Sequence, residues 1–179
     1  MNGISIKKAS LDDVTTLHHL GRGTFLEAFA DSNTAEDMKK YLDENFTEER
    51  TRIELSNPDS QFFIAWDDDQ PIGYLKLNSG KAQTDLQEET SLEMERIYVK
   101  RIYHGKKVGQ LLYAKALEIA RDQHKTSIWL GVWEENPRAK RFYEKNGFTA
   151  FDKHIFKLGN DEQTDLLMRK VLEEKFNHL

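Results

Sequence analysis

Ile97-Tyr-Val-Lys-Arg-Ile-Tyr-His-Gly-Lys-Lys-Val-Gly-Gln-Leu-Leu112 is the stretch on which the fold turns. Together with the preceding Leu92-Glu-Met-Glu-Arg96, its first residues read as a strand, Leu92 to Val99. Gly105 and Gly109 mark a turn, and Val108, Leu112, Ala116, Ile119 and Ala120 then repeat at helical spacing. A helix is therefore predicted from about Lys106 to Gln123. A strand that runs through a glycine turn into an amphipathic helix belongs to a sheet with helices on its faces. The first N–H groups of such a helix are unpaired and carry the positive end of its dipole. The junction is a physical site for a phosphate or pyrophosphate, reinforced by Arg101, Lys106 and Lys107, unless the glycines only shape a tight turn. The spacing is neither a Walker loop nor Gly-x-Gly-x-x-Gly.

Upstream, Ile4 to Ala9 reads as a first strand. Ser10 with Asp13 makes a capping-box signal for a helix whose apolar positions are Leu11, Val14, Leu17, Phe25 and Ala28. Gly21 and Gly23 are expected to bend or break that helix. Thr34 with Asp37 repeats the capping signal before Met38, Tyr41 and Leu42, and a third helical piece runs from Glu48 to Leu55. Gln61–Trp66 and Ile72–Leu77 flank the polar turn Asp67–Gln70 as a hairpin, followed by a polar loop over 78–90. Downstream, Ser127–Val132 is apolar on both faces, as a central strand should be. Asn136-Pro137 opens a short helix that Gly147 closes, and Phe151–Lys157 and Leu166–Leu172 read as strands. The fold class expected is α/β (α+β): a mixed, mostly antiparallel sheet of about seven strands flanked by about four helices.

The chain has 179 residues, which fits a single domain over 1–179. It contains no cysteine, so disulfide scaffolds, thiol nucleophiles and thiolate zinc sites are excluded. The six histidines are scattered and form no metal set. No apolar run approaches the ~18–20 residues of a membrane span, and Met1–Ser10 lacks a signal-peptide core, so the expected location is cytoplasmic. A net charge of −5 argues against nucleic acid as a partner and suits a cationic substrate, although mild acidity also serves solubility. Lys7-Lys8 and Lys175-Phe-Asn-His-Leu179 read as solvated ends.

A strand at Trp129-Leu-Gly-Val-Trp133, Asn136, the Ala139-x-x-Phe142-Tyr143 helix and Gly147-Phe148 strongly resemble the closing half of the GCN5-related N-acetyltransferases (GNAT). The Val99…Gly105…Gly109 segment resembles that family's acetyl-CoA pyrophosphate loop. Thr24-Phe-Leu-Glu-Ala-Phe29, Asn33–Leu42, Leu92–Val99, Trp129–Glu134 and Glu162-Gln-Thr-Asp-Leu166 are similar to the PaiA-type spermidine/spermine acetyltransferases within it. The chain departs from the family loop, Arg/Gln-x-x-Gly-x-Gly/Ala, at His104 and Lys107. A lysine there is expected to donate its N–H if its φ stays negative.

The resemblance implies acetyl-CoA as co-substrate, with no metal, and direct transfer of the acetyl group to a primary amine, most plainly of spermidine or spermine. Alternatives are a protein amine or an aminoglycoside as acceptor, or an acyl-CoA-binding regulatory protein with little turnover. A homodimer is implied by analogy with relatives. Tyr143 takes the position of the family's general acid for the departing thiolate. Glu93 and Glu95 are expected to share a strand face, either one acting as base through water, with Glu95 the preferred of the two. Ile97, Tyr98 and Val99 would run along the pantetheine arm, and His104, Gly105, Lys106, Lys107, Val108, Gly109 and Gln110 would form the pyrophosphate loop. Asn136 and Lys145 are further cofactor contacts, unless they are only a helix cap and a surface lysine. Glu27 and Asp31 would hold the distal ammonium groups of a polyamine.

Overall fold

A computed structural model describes residues 3–173. In chain order its elements are β1 (Ile4–Lys8), α1 (Val14–Phe29), α2 (Ala35–Asn45), α3 (Glu48–Ser56), β2 (Ser60–Asp67), β3 (Gln70–Asn78), β4 (Ser91–Val99), α4 (Val108–Asp122), β5 (Ser127–Trp133), α5 (Pro137–Lys145), β6 (Thr149–Leu158) and β7 (Asp161–Val171). The strands form one sheet in the order β1-β2-β3-β4-β5-β7-β6. Every neighbouring pair is antiparallel except β4 and β5, which run parallel and pair only at Ser91, Leu92 and Glu93 with Ser127, Ile128 and Trp129. Beyond Glu93 the two central strands part. The C-terminal reading at Lys175–Leu179 lies outside the described residues. Among the described residues no helix is long and apolar enough to cross a membrane.

Alternation along the strands sends side chains to two apolar clusters on opposite faces. Phe63, Ala65, Leu75, Leu92, Met94, Ile128 and Leu130 pack against Val108, Leu112 and Ala116 of α4, and against Tyr143 and Phe148 around α5. Phe62, Ile64 and Tyr74 point the other way, onto Leu17 and Leu20 of α1. Phe25, Phe29, Met38, Leu42 and Phe46 extend that second side over Leu158. Two helical layers thus enclose the sheet.

The helical piece expected at 48–55 is present as α3, and the described residues hold five α-helices around the sheet, in keeping with the expected fold. Three smaller expectations change. Gly21 and Gly23 do not break α1. Gly21 is buried against the Phe46 ring, which would lie 3.2 Å from an added Cβ, so a missing side chain serves close packing there. The Ser10–Asp13 capping box is present, opening a short 3₁₀ turn ahead of α1. Thr34 also caps α2, but the Asp37 carboxylate turns outward and accepts the N–H of Asn160 at the β6–β7 turn.

Candidate active site

β3 and β4 lose register at one point: Lys76 pairs with Arg96, but Leu77 pairs with Met94, leaving Glu95 as an extra residue. Such a bulge shifts the alternation by one. Leu92 and Met94 face α4, and after the bulge so do Ile97 and Val99. Glu93, Glu95, Arg96 and Tyr98 are left on the walls of the cavity described next. Lys100 N–H donates to Ile72 O, so by antiparallel alternation the peptide groups of Tyr98 are spent on β3. Those of Ile97 and Val99 point at the edge that β5 has left open. The expected backbone role therefore fits Ile97 and Val99. Tyr98 instead contributes its ring, stacked on Tyr74 with centroids 6.0 Å apart.

A cavity of about 340 Å³ occupies the gap between the parted strands. Its lining comes from both faces of the sheet: Met94, Ile97, Val132, Ala139 and Tyr143 from the α4 side, and Phe25, Phe29, Tyr41, Glu93 and Tyr98 from the α1–α2 side. Gly131 supplies no side chain on this wall. Tyr143 is buried against Phe142 and Phe148, and burial pushes its hydroxyl well above the usual phenol range, so it stays protonated.

The carboxylates on the wall differ in what they touch. Glu95 is held in an ion-pair network. Its Oε2 lies 2.6 Å from Lys76 Nζ, a close ion pair without hydrogen-bond alignment, and 3.5 Å from Arg96 Nε. Glu54 of α3 completes the network, 3.2 Å from Lys76 and 3.0 Å from Arg96. Burial works to raise the Glu54 carboxyl, but Arg96 and Lys76 outweigh it and hold the group below the ordinary carboxylate range. Glu93 is only 2 % exposed and is enclosed by donors: Asn78 Nδ2 at 2.9 Å, Thr84 N–H at 2.8 Å and Thr84 hydroxyl at 2.5 Å. Burial raises it, against those hydrogen bonds. Asp165 of β7 also lines the cavity. Burial raises its carboxyl, nearby His154 opposes that, and no donor among the described residues bonds to it.

At the start of α4, Lys107 takes a left-handed conformation, φ 64°, and offers no side-chain cap. This overturns the expected negative φ. Position 107 is where the family loop has glycine, because only glycine adopts that backbone without steric penalty. The helix consequently starts at Val108 rather than Lys106, and the N–H groups of Val108, Gly109 and Gln110 project from its end. His104 ties the loop down: the Arg138 guanidinium of α5 donates to Nδ1, so Nε2 carries the proton given to Val99 O, 2.8 Å away. Asn136 caps α5 by accepting the Ala139 N–H, and it lines the cavity. Gln110 bonds Asn146 across the α4–α5 gap.

Three expected residues lie elsewhere. Lys145 is exposed on the last turn of α5. Glu27 accepts the backbone N–H of Arg101 at 2.9 Å, fixing α1 to the turn after β4, and Asp31 is exposed. None of the three lines the cavity. The loop over 78–90 was read only as polar, yet Gln83 accepts the indole N–H of buried Trp129 at 2.7 Å, Thr84 clasps Glu93, and Asp85 Oδ2 lies 2.6 Å from His154 Nδ1. Trp129 held the available signal, since an indole N–H in a central apolar strand needs an acceptor. Asp165 stood within the quoted Glu162–Leu166 segment, but no local pattern marks it as facing a cavity.

The chain matches the acetyltransferase (GNAT) family over residues 24–148. It is 38 % identical over 172 residues to an uncharacterised N-acetyltransferase of Lactobacillus delbrueckii subsp. lactis, covering 96 % of this chain and 99 % of that one. It is 28 % identical over 176 residues to a spermidine N(1)-acetyltransferase of Thermoplasma acidophilum, covering 95 % and 98 %. The crystal structure of a PaiA N-acetyltransferase from T. acidophilum in complex with coenzyme A superposes with a TM-score of 0.78 at 26 % identity, covering 95 % of this chain and 99 % of that one.

Proposed function

The chain belongs to the GNAT family and is an acetyl-CoA-dependent N-acetyltransferase, and from that premise we propose that residues 1–179 form one catalytic domain acetylating a primary amine of a polyamine such as spermidine. The observation that carries the acceptor class is Asp165. A half-buried carboxyl with no donor on it among the described residues, in a cavity walled by Phe29, Tyr41, Trp133 and Phe156, is suited to an ammonium group. The ammonium would gain charge pairing from Asp165 and attraction to the aromatic faces. The 28 % identical spermidine acetyltransferase supports the same class.

In this reading the open peptide groups of Ile97 and the N–H of Val99, whose carbonyl already accepts from His104, hold the amide-bearing pantetheine arm. The projecting N–H groups of Val108, Gly109 and Gln110, with Lys106 and Lys107, hold the pyrophosphate. Acetyl-CoA supplies the activated thioester. Asp165 positions the acceptor, and Tyr143, kept as a phenol by burial, donates its proton to the leaving sulfur.

The test follows free thiol release from acetyl-CoA with spermidine, spermine, propylamine, a lysyl peptide and an aminoglycoside. Turnover greatest with the polyamines is expected, and Asp165→Asn should raise KM for spermidine at least about tenfold while leaving coenzyme A affinity unchanged. Better turnover of the lysyl peptide or the aminoglycoside would overturn the polyamine assignment.

A further inference from the structure

A chain of polar contacts runs into the cavity from the loop over 78–90, and neither acetyl-CoA binding nor the Tyr143 acid uses it. Glu93 holds the backbone N–H and the hydroxyl of Thr84, and the next residue is Asp85. Asp85 Oδ2 in turn lies 2.6 Å from Nδ1 of His154 on β6. His154 pairs directly across the sheet with Asp165, which pairs with Trp133, so these three side chains form one row on the cavity wall.

We propose that His154 is the proton acceptor for the incoming ammonium group, with Asp85 and Glu93 as its positioning residues. The reaction needs such a group. An alkylammonium near pKa ~10 is free amine only about one part in a thousand at pH 7, and only the free amine attacks. Of the wall carboxylates, Glu95 is committed to Lys76 and Arg96, and Glu93 to three donors. The Asp85 carboxylate accepts a hydrogen bond from Nδ1–H, which fixes the tautomer and leaves the Nε2 lone pair as the base. The titratable groups facing this ring or sharing its wall are Asp85 from the loop, Asp165 from β7, Tyr41 from α2, Arg50 from α3, Tyr143 from α5, and Glu93, Glu95, Arg96 and Tyr98 from β4. Asp85 and Asp165 offset the positive charge that the ring gains.

The step balances. One ammonium proton passes to His154 Nε2, and the nitrogen lone pair forms the C–N bond as the C–S bond breaks. The sulfur takes a proton from Tyr143, which recovers one from the acylated nitrogen, and His154 returns its proton to solvent. The net products are the acetamide, the free thiol and one proton.

This proposal rests on N-acetyl transfer and not on the polyamine assignment, so it is tested with whichever amine of the acceptor panel turns over best. His154→Gln keeps a donor for Asp85 and should lower kcat on the order of 10²–10³-fold with unchanged coenzyme A affinity. Imidazole in the medium should restore part of the activity of His154→Ala. Nitrogen-15 NMR of the imidazole rings in the wild type, which needs no acceptor, should find His154 with its proton on Nδ1 at pH 8, and Asp85→Asn should disturb that preference. A kcat of His154→Gln within threefold of wild type, or a wild-type ring protonated on Nε2 at pH 8, would overturn the proposal.

Discussion

Lys76 Nζ lies 2.6 Å from Glu95 Oε2 and 3.2 Å from Glu54 Oε2, which makes two carboxylates the counter-ions of a lysine that is only 6 % exposed. The relationship recasts Glu95 as half of a buried charge balance. Removing one partner of such a pair leaves the other desolvated and unpaired.

Glu95→Gln should therefore destabilise the protein by about 3 kcal/mol, at the low end for a buried pair because Glu54 still faces Lys76. Thermal melts should show a Tm fall of roughly 6–12 °C, while kcat measured well below that Tm stays within threefold of wild type. Unchanged Tm with a hundredfold loss of kcat would return Glu95 to the role of base.

Tyr143 lies in the wall as a phenol whose ionisation burial disfavours. Tyr143→Phe should lower kcat by more than about tenfold with little change in Tm, since the ring packing against Phe142 and Phe148 is kept. The sign of the shift fixes the pH behaviour as well. A hydroxyl raised above 10 keeps its proton as pH increases, so Tyr143 contributes no alkaline loss of wild-type kcat below about pH 10. Thiol-release rates from pH 7 to 10 check both statements.

Lys107 holds a left-handed backbone at the threshold of α4. Lys107→Gly should relieve about 1 kcal/mol of steric strain, partly offset by the greater freedom of glycine in the unfolded chain. A Tm between unchanged and a few degrees higher is expected from calorimetry. Coenzyme A affinity should fall less than threefold in the same experiment at moderate salt, because the backbone N–H groups of Val108–Gln110 remain in place.

Much of the architecture is local and was legible. The Ser10–Asp13 box, the Asn136-Pro137 helix start, the hairpin around Asp67–Gln70 and the strand–turn–helix through Gly105 all follow from short-range rules, and each is present. The family resemblance likewise led to the cofactor and the fold. What was missed depends on partners distant in the chain. The Glu95 bulge exists only in relation to β3, so nothing in plain alternation showed that Ile97 and Val99 would turn to the α4 side with Leu92 and Met94. Asp85 and His154 are 69 residues apart, and neither stands in a pattern that points to the other. Glu27 looked like a substrate ligand because its charge was visible, whereas its use by the Arg101 N–H, 74 residues on, was not. The left-handed turn at Lys107 went unread because a lysine rarely accepts it.

The early parting of β4 from β5 makes the sheet a partition with a slot in it, lined from the α4 side and from the α1–α2 side alike. Two reactants can thus occupy the slot from opposite sides without sharing an entrance. A single molecule joining coenzyme A to its amine acceptor would straddle that partition, its nucleotide head on one side and its acceptor end on the other. Because β4 and β5 do not pair again beyond Glu93, the gap stays open at its far end, and such a conjugate would slide in and out along the parted strands without either end passing through the sheet.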